Sequence, residues 1–214
     1  MIYGCDVSYA NGSPDWNLAL DDERVKFVYA RVCYGTNPAD DDGPAFTKAH
    51  DACKGRKVPF LPYMFWLMGQ DGAAQAEHFL GAANGRYGDY SSVVDVEEGS
   101  GVLGWGADVP ARVANLSRCL NTIQAKIGQP LIYVNRDTWL TYFGGTDAFA
   151  GHRFIIAQYG VKPGKIDPIH GIKKVVMHQF SDGKGLPPIA GLSTPSNNVD
   201  RDVLLGNDFG ILAR

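Results

Sequence analysis

The sequence predicts an α/β protein in which a mainly parallel sheet closes into a single-domain, TIM-like (β/α) barrel. Three observations carry this expectation. About seven short runs rich in β-branched and aromatic residues recur along the chain, and most are separated by helical patterns, an alternation that favours parallel pairing. Seven or eight such units are enough for closure. No repeat, linker or low-complexity tract divides the 214 residues, so one domain over 1–214 is expected. An open doubly wound sheet is the alternative, but its glycine-rich phosphate fingerprint is missing after the first strand.

Taken in order, Ile2 to Asp6 reads as a strand ending in an acid, and Val7 to Asn17 as a loop rich in Ser, Asn, Gly and Pro. Val25 to Cys33 is the second strand, and a helix is expected from about Ala45 to Cys53. Val58 to Trp66 is apolar and aromatic, but Pro59 and Pro62 argue against a regular central ladder along its whole length. Gly72 to Ala83 has the stripe of a helix, with Ala76, Phe79 and Leu80 on one side. A strand from Ser91 leads to Asp95 and Glu97, then a glycine-rich loop surrounds Trp105. Asp108 as N-cap, Pro110 in the first turn and Gly128 as terminator bracket a long helix to about Ile127. Leu131 to Val134 is a strand, Asn135 caps a helix to about Tyr142, and Phe154 to Tyr159 and Val175 to Phe180 are further strands. The tail around Asn198 to Leu205 either pairs or simply packs.

An apolar content of 45% with 20% charged residues is that of an ordinary globular protein. The net charge of -3 gives no electrostatic case for nucleic acid or anionic membranes. No apolar run approaches a spanning helix. The start, Met1-Ile2-Tyr3-Gly4-Cys5-Asp6, has neither basic n-region nor apolar h-region, so synthesis in the cytoplasm without a secretory signal is expected. Cys5, Cys33, Cys53 and Cys119 are not spaced as a zinc knuckle or redox pair, so buried thiols are expected rather than disulfides. The five histidines form no metal-binding array, leaving only ligands from distant segments, and no metal or cofactor is expected.

The candidate chemistry centres on Val93-Val94-Asp95-Val96-Glu97. Side chains alternate along a strand, so Asp95 and Glu97 share a face while Val94 and Val96 take the other. Two carboxylates at the exit of an apolar strand are costly to bury without a task or partner. An acidic strand end with nothing to bind is the plain alternative. Of the four glutamates, Glu23 sits in a charged run and Glu77 in a helix, leaving Glu97 as the candidate acid. Barrels place chemistry at the carboxyl ends of strands. Those ends carry Asp6, Tyr34, Tyr63 with Phe65 and Trp66, Asp95 with Glu97, Tyr133 with Asn135, Gln158 with Tyr159, and His178 with Gln179. Each aromatic alone is most simply core packing. Together, rings with nearby hydroxyls and amides suit a sugar.

Four segments resemble glycoside hydrolase family 25, the Chalaropsis-type lysozymes. They are Gly4-Cys5-Asp6-Val7-Ser8, Val94-Asp95-Val96-Glu97, Ile156-Ala157-Gln158-Tyr159, and His178-Gln179-Phe180-Ser181 with Asn198-Val199-Asp200. Their order and spacing agree over essentially the whole chain. The resemblance implies a distorted β/α barrel that cleaves the β-1,4 bond between N-acetylmuramic acid and N-acetylglucosamine in peptidoglycan. It implies Glu97 as general acid/base, Asp95 as the supporting carboxylate, and Asp6 and Asp200 as two further acids. Tyr63, Tyr133 and Gln158 match sugar-contacting positions, with Tyr34, Phe65, Tyr159 and Gln179 as further candidate contacts. Tyr34 stands where many members have a glutamate and Phe180 where a tyrosine is usual, departures that bear on subsites rather than on the acids.

Glycoside cleavage needs a proton for the leaving oxygen and support for an oxocarbenium-like centre. Strand positions two apart lie roughly 6.5–7 Å apart along the backbone, which does not by itself choose between retention and inversion. The resemblance leans to retention, with the substrate's acetamido group as nucleophile. A catalytically silent wall-binding module, a zinc amidase and a structural surface protein are the competing classes. A wall-cleaving enzyme without a leader fits a phage endolysin, expected as a monomer acting on peptidoglycan strands without a separate wall-binding domain.

Overall fold

The computed structural model describes residues 1–98, 108–192 and 199–214; Trp105 and its loop, and Asn198, lie outside them. Eight strands close a barrel in sequential order. They are β1 (Ile2–Val7), β2 (Val28–Tyr34), β3 (Phe60–Phe65), β4 (Val93–Val96), β5 (Leu131–Asn135), β6 (Phe154–Ala157), β7 (Val175–Ser181) and β8 (Arg201–Leu204). The helices are α1 (Trp16–Asp21), α2 (Gly43–Arg56), α3 (Gly72–Ala83), α4 (Val109–Ile127) and α5 (Arg136–Phe143). Strands β1 to β7 run parallel, whereas β8 is antiparallel to both β7 and β1. The open-sheet alternative is thereby excluded. The tail segment is a closing strand.

Alternation along each strand divides the apolar residues into two layers. Tyr29, Leu61, Tyr63, Val93, Leu131, Tyr133, Ile155, Met177 and Leu204 fill the barrel interior. Val28, Ala30, Met64, Val94, Val96, Ile132, Val134 and Ile156 face outward into a second core with the helices. Trp139 anchors part of that outer core, stacked on Phe143 at 5.2 Å and edge-on to Phe154 at 5.3 Å. The offset-stacked and edge-to-face geometries are those the ring quadrupoles favour.

Helix ends follow local chemistry. Asp108 accepts from the Ala111 amide to start α4, Gly128 closes it at φ 91°, and Asn135 accepts from Thr138 to start α5. Asp71 does the same for α3 through Ala74. The stretch expected as a loop, Val7 to Asn17, holds a 3-10 turn at Tyr9–Asn11 and the first two residues of α1, which Asp15 begins by accepting from Asn17 and Leu18. Six residues are too few for the periodic pattern by which a helix is recognised. Pro62 lies inside β3, but as expected the prolines keep a regular ladder from running along the whole stretch from Val58 to Trp66. The β3–β4 ladder begins only at Tyr63, so no β4 partner stands opposite the proline.

Gly4 lets β1 lie close to Phe27, since a Cβ there would stand 2.5 Å from the Phe27 carbonyl oxygen and 2.6 Å from its ring. Gly4→Ala is expected to cost about 1–3 kcal/mol through overpacking, read from chemical denaturation. A stability equal to the parent's would show that β1 can shift freely.

Candidate active site

The reversed direction of β8 decides what the open end of the barrel contains. An antiparallel strand presents its beginning where the parallel strands present their ends. Asp202 therefore pairs with Gly4 of β1 and Gln179 of β7, and Asp200 sits just above it. A cavity of about 150 Å³ opens there, lined by Asp6, Tyr29, Arg31, Tyr63, Phe65, Val93, Asp95, Glu97, Tyr133, Gln179 and Asp200. Asp95 and Glu97 both line it, as alternation requires.

The interior is a hydrogen-bonded network of acids, phenols and one amide. Gln179 Nε2 donates to Asp6 Oδ2 at 2.8 Å. Gln179 Oε1 accepts from Tyr133 at 2.8 Å and from Tyr159 at 2.5 Å. Tyr29 donates to Asp202 Oδ1 at 2.7 Å. Arg31, the cation among the lining residues, is held by Asp42 Oδ1 at 3.0 Å, and Asp42 Oδ2 also accepts from the Tyr9 amide at 2.7 Å. Asp95 Oδ1 and Asp202 Oδ2 are buried without a hydrogen-bond partner among the described residues. In a native interior such atoms call for a ligand, a water or a proton.

Five carboxyls so placed cannot all ionise. Burial pushes Asp6 well above the usual carboxylate range, Asp202 and Glu97 push it further, and hydrogen bonds from Gln179 and Tyr29 pull it back. Burial also raises Asp95 strongly, reinforced by Glu97 and Asp6 and opposed by Arg31. Glu97 is raised by burial against the lowering effect of its hydrogen bond with Tyr133. Asp200 is pushed up to about 9, by burial first and then by Asp6 and Glu97. Asp202 is raised by burial in spite of its bond from Tyr29. A carboxyl kept protonated near neutrality is what proton delivery to a leaving group requires.

Asp6, Asp95, Glu97, Asp200, Tyr63, Phe65, Tyr133 and Gln179 are thus brought together. Tyr159 is half-exposed but joins the network through Gln179. Tyr34 stacks on Phe65 at 4.6 Å between centroids. Gln158 is not brought into the cavity. Its strand ends at Ala157, and its amide instead donates to Asp167 Oδ2 at 2.6 Å and accepts from the Asp167 backbone. Phe180 lies edge-on to Tyr3 and His178. Tyr29, Arg31 and Asp202 were missed from sequence. Alternation could have supplied Tyr29 and Arg31, two apart on a strand, but Asp202 needed the knowledge that the tail pairs.

All four cysteines are buried and free. No helix among the described residues is long and apolar enough to cross a membrane.

Comparison with known proteins gives a consistent result. The family model for glycosyl hydrolases family 25 matches residues 5–189. A bacterial lysozyme from Streptomyces coelicolor superposes with a TM-score of 0.83 at 22% identity, covering 99% of this chain and 95% of that one. A family 25 lysozyme from Aspergillus fumigatus gives 0.79 at 21%, covering 100% and 99%. The catalytic domain of an endolysin from Listeria monocytogenes bacteriophage P40 gives 0.70 at 19%, covering 99% and 95%. No curated protein sequence matches. The solved structures speak for the barrel, and the sequence model, spanning most of the chain, speaks for descent: the chain belongs to glycosyl hydrolase family 25 and is a glycoside hydrolase.

Proposed function

We propose that the protein is a retaining N-acetylmuramidase, cutting the β-1,4 bond between N-acetylmuramic acid and N-acetylglucosamine in peptidoglycan. The observation that carries this reading is the pairing of Glu97 with Asp95. Glu97, only partly buried, lines the cavity with its proton affinity raised by burial, and Asp95 sits on the same face with an acceptor oxygen unused. Glu97 delivers its proton to the glycosidic oxygen as the C1–O bond breaks. The acetamido oxygen of the same sugar closes on C1, while Asp95 Oδ1 accepts from the acetamido N–H and orients it. Glu97, now a carboxylate, takes a proton from water, which opens the cyclic intermediate on the face the leaving group left, giving retention. Tyr63, Phe65 and Tyr133 offer ring faces and hydroxyls to the sugar.

The likeness to a phage endolysin domain supports a further proposal, that the enzyme serves phage-mediated lysis and reaches the wall only after the membrane is breached. Cells producing it internally should then stay intact until the membrane is permeabilised. Lysis without permeabilisation would reject that setting while leaving the chemistry in place.

Mass spectrometry of fragments released from purified peptidoglycan tests the bond. New reducing N-acetylmuramic acid ends support the reading. Reducing N-acetylglucosamine ends, or freed stem peptides, overturn it. Tight binding with intact polymer would favour a silent wall-binding module.

A further inference from the structure

We propose that Cys33, Asp41 and His78 form a binding site for one borderline-soft divalent cation of the zinc class, outside the barrel and separate from the catalytic cavity. The sequence disguises it, because the three residues come from three segments with no shared spacing. Cys33 is on β2, Asp41 ends the short 3-10 turn Pro38–Asp40, and His78 is in the middle of α3. The β2–β3 register shifts between Arg31 and Cys33. That irregularity lets Val32 and Cys33 both belong to the outer core, where plain alternation would send one of them inward.

The sulfur, a ring nitrogen and a carboxylate oxygen all lie within 4.8 Å of one another. A tetrahedral zinc ion bound at about 2.0–2.3 Å holds its donors roughly 3.3–3.8 Å apart, so closure draws the widest pair in by about 1 Å and opens the His78–Asp41 contact by about 0.5 Å, shifts within reach of side-chain rotation. Thiolate, imidazole and carboxylate together are the donor set that suits zinc rather than magnesium or calcium. His78 Nε2 already faces Asp41 Oδ1 at 2.8 Å, and both side chains are 19% exposed, which gives an ion and a fourth, water ligand a way in. Cys119 does not compete for the place, since its thiol is directed to Met64 Sδ at 3.9 Å. On binding, the Cys33 S–H proton leaves to solvent as the sulfur–metal bond forms. His78 contributes its Nε2 lone pair, and Asp41 exchanges its contact with His78 for the ion. Nothing is oxidised or reduced.

The site bears on the catalytic end through one peptide unit. Asp41 adjoins Asp42, whose carboxylate holds both Arg31 of the cavity wall and the Tyr9 amide. An ion on Asp41 would therefore pin the turn that positions Arg31.

Cobalt(II) added to the chelator-treated full chain tests the proposal. One equivalent should bind with a near-ultraviolet thiolate-to-cobalt charge-transfer band and visible bands of a four-coordinate ion, and zinc should displace it. Cys33→Ser should abolish the charge-transfer band. His78→Gln should weaken binding by more than the ~10-fold that losing an outer partner costs, with its far-ultraviolet circular dichroism unchanged. Zinc should raise the melting temperature of the parent but not of His78→Gln, a readout that stands even if Cys33→Ser does not fold. Absence of the band in the parent, its persistence in Cys33→Ser, or cobalt binding lost only in Asp6→Asn with Asp200→Asn would each overturn the site. None of these readouts depends on whether the enzyme cuts peptidoglycan.

Discussion

Glu97→Gln is expected to reduce kcat on peptidoglycan by about 10²–10⁴-fold, the range that a positioned acid contributes, with KM little changed. The amide keeps the shape but has no acidic proton for the leaving oxygen. Because burial holds the Glu97 carboxyl above its ordinary range, the parent's rate should fall on the alkaline side as that proton is lost. In the variant that limb should disappear along with most of the activity. Folding stability should be equal or greater, since a neutral amide replaces a group that burial disfavours in its charged form. A variant retaining parental kcat, or a parent whose alkaline limb survives the substitution, would remove Glu97 from the role of acid.

The second large effect is on stability as a function of pH, and its sign is unusual. A carboxyl whose value in the folded protein lies above its unfolded value keeps a proton that the unfolded chain has already released. Its contribution is complete below about pH 4 and is lost as pH rises to the folded value. Asp6, Asp95, Glu97 and Asp202 are all displaced in that direction, and Asp200 extends the window to about 9. Each proton held by the folded state alone lowers stability by about 1.4 kcal/mol per pH unit. Opposing this on the acid side, the side-chain hydrogen bonds from Arg24 lower Asp22 to about 2, so its contribution fades as pH falls below about 4. The melting temperature should therefore peak near pH 4–5 and decline steadily to pH 9. Asp200→Asn should flatten the upper part of that decline. Calorimetry showing stability that climbs from pH 4 to 8 would mean these carboxyls are ionised in the folded protein.

Most of the barrel was legible because its strands obey a period of two and its helices announce their ends. Asp95 and Glu97 were placed on one face by alternation alone, and Asp108 and Gly128 fixed the ends of α4 by capping chemistry. The failures arose where a local rule lost its premise. Gln158 was read as a strand-end residue, but β6 stops one residue earlier, so the turn decides its direction. Asp202 went unread because no strand could be assigned to the tail without a partner to pair it with. The site that converges on Cys33 was invisible for a related reason, since only the fold brings α3 to the end of β2.

The antiparallel closing strand also sets a timetable. Strand β8 pairs with β1, nearly two hundred residues earlier in the chain, and it is immediately preceded by Asp200. Contacts so distant in sequence form late, because the intervening chain must be ordered first. A growing polypeptide that has not yet reached Asp200 lacks both the seam of the barrel and the acid beside it. Any truncation upstream of that strand leaves β1 and β7 as two unpaired edges and removes Asp202 from the interior, so closing the sheet and completing its set of buried acids are a single late event.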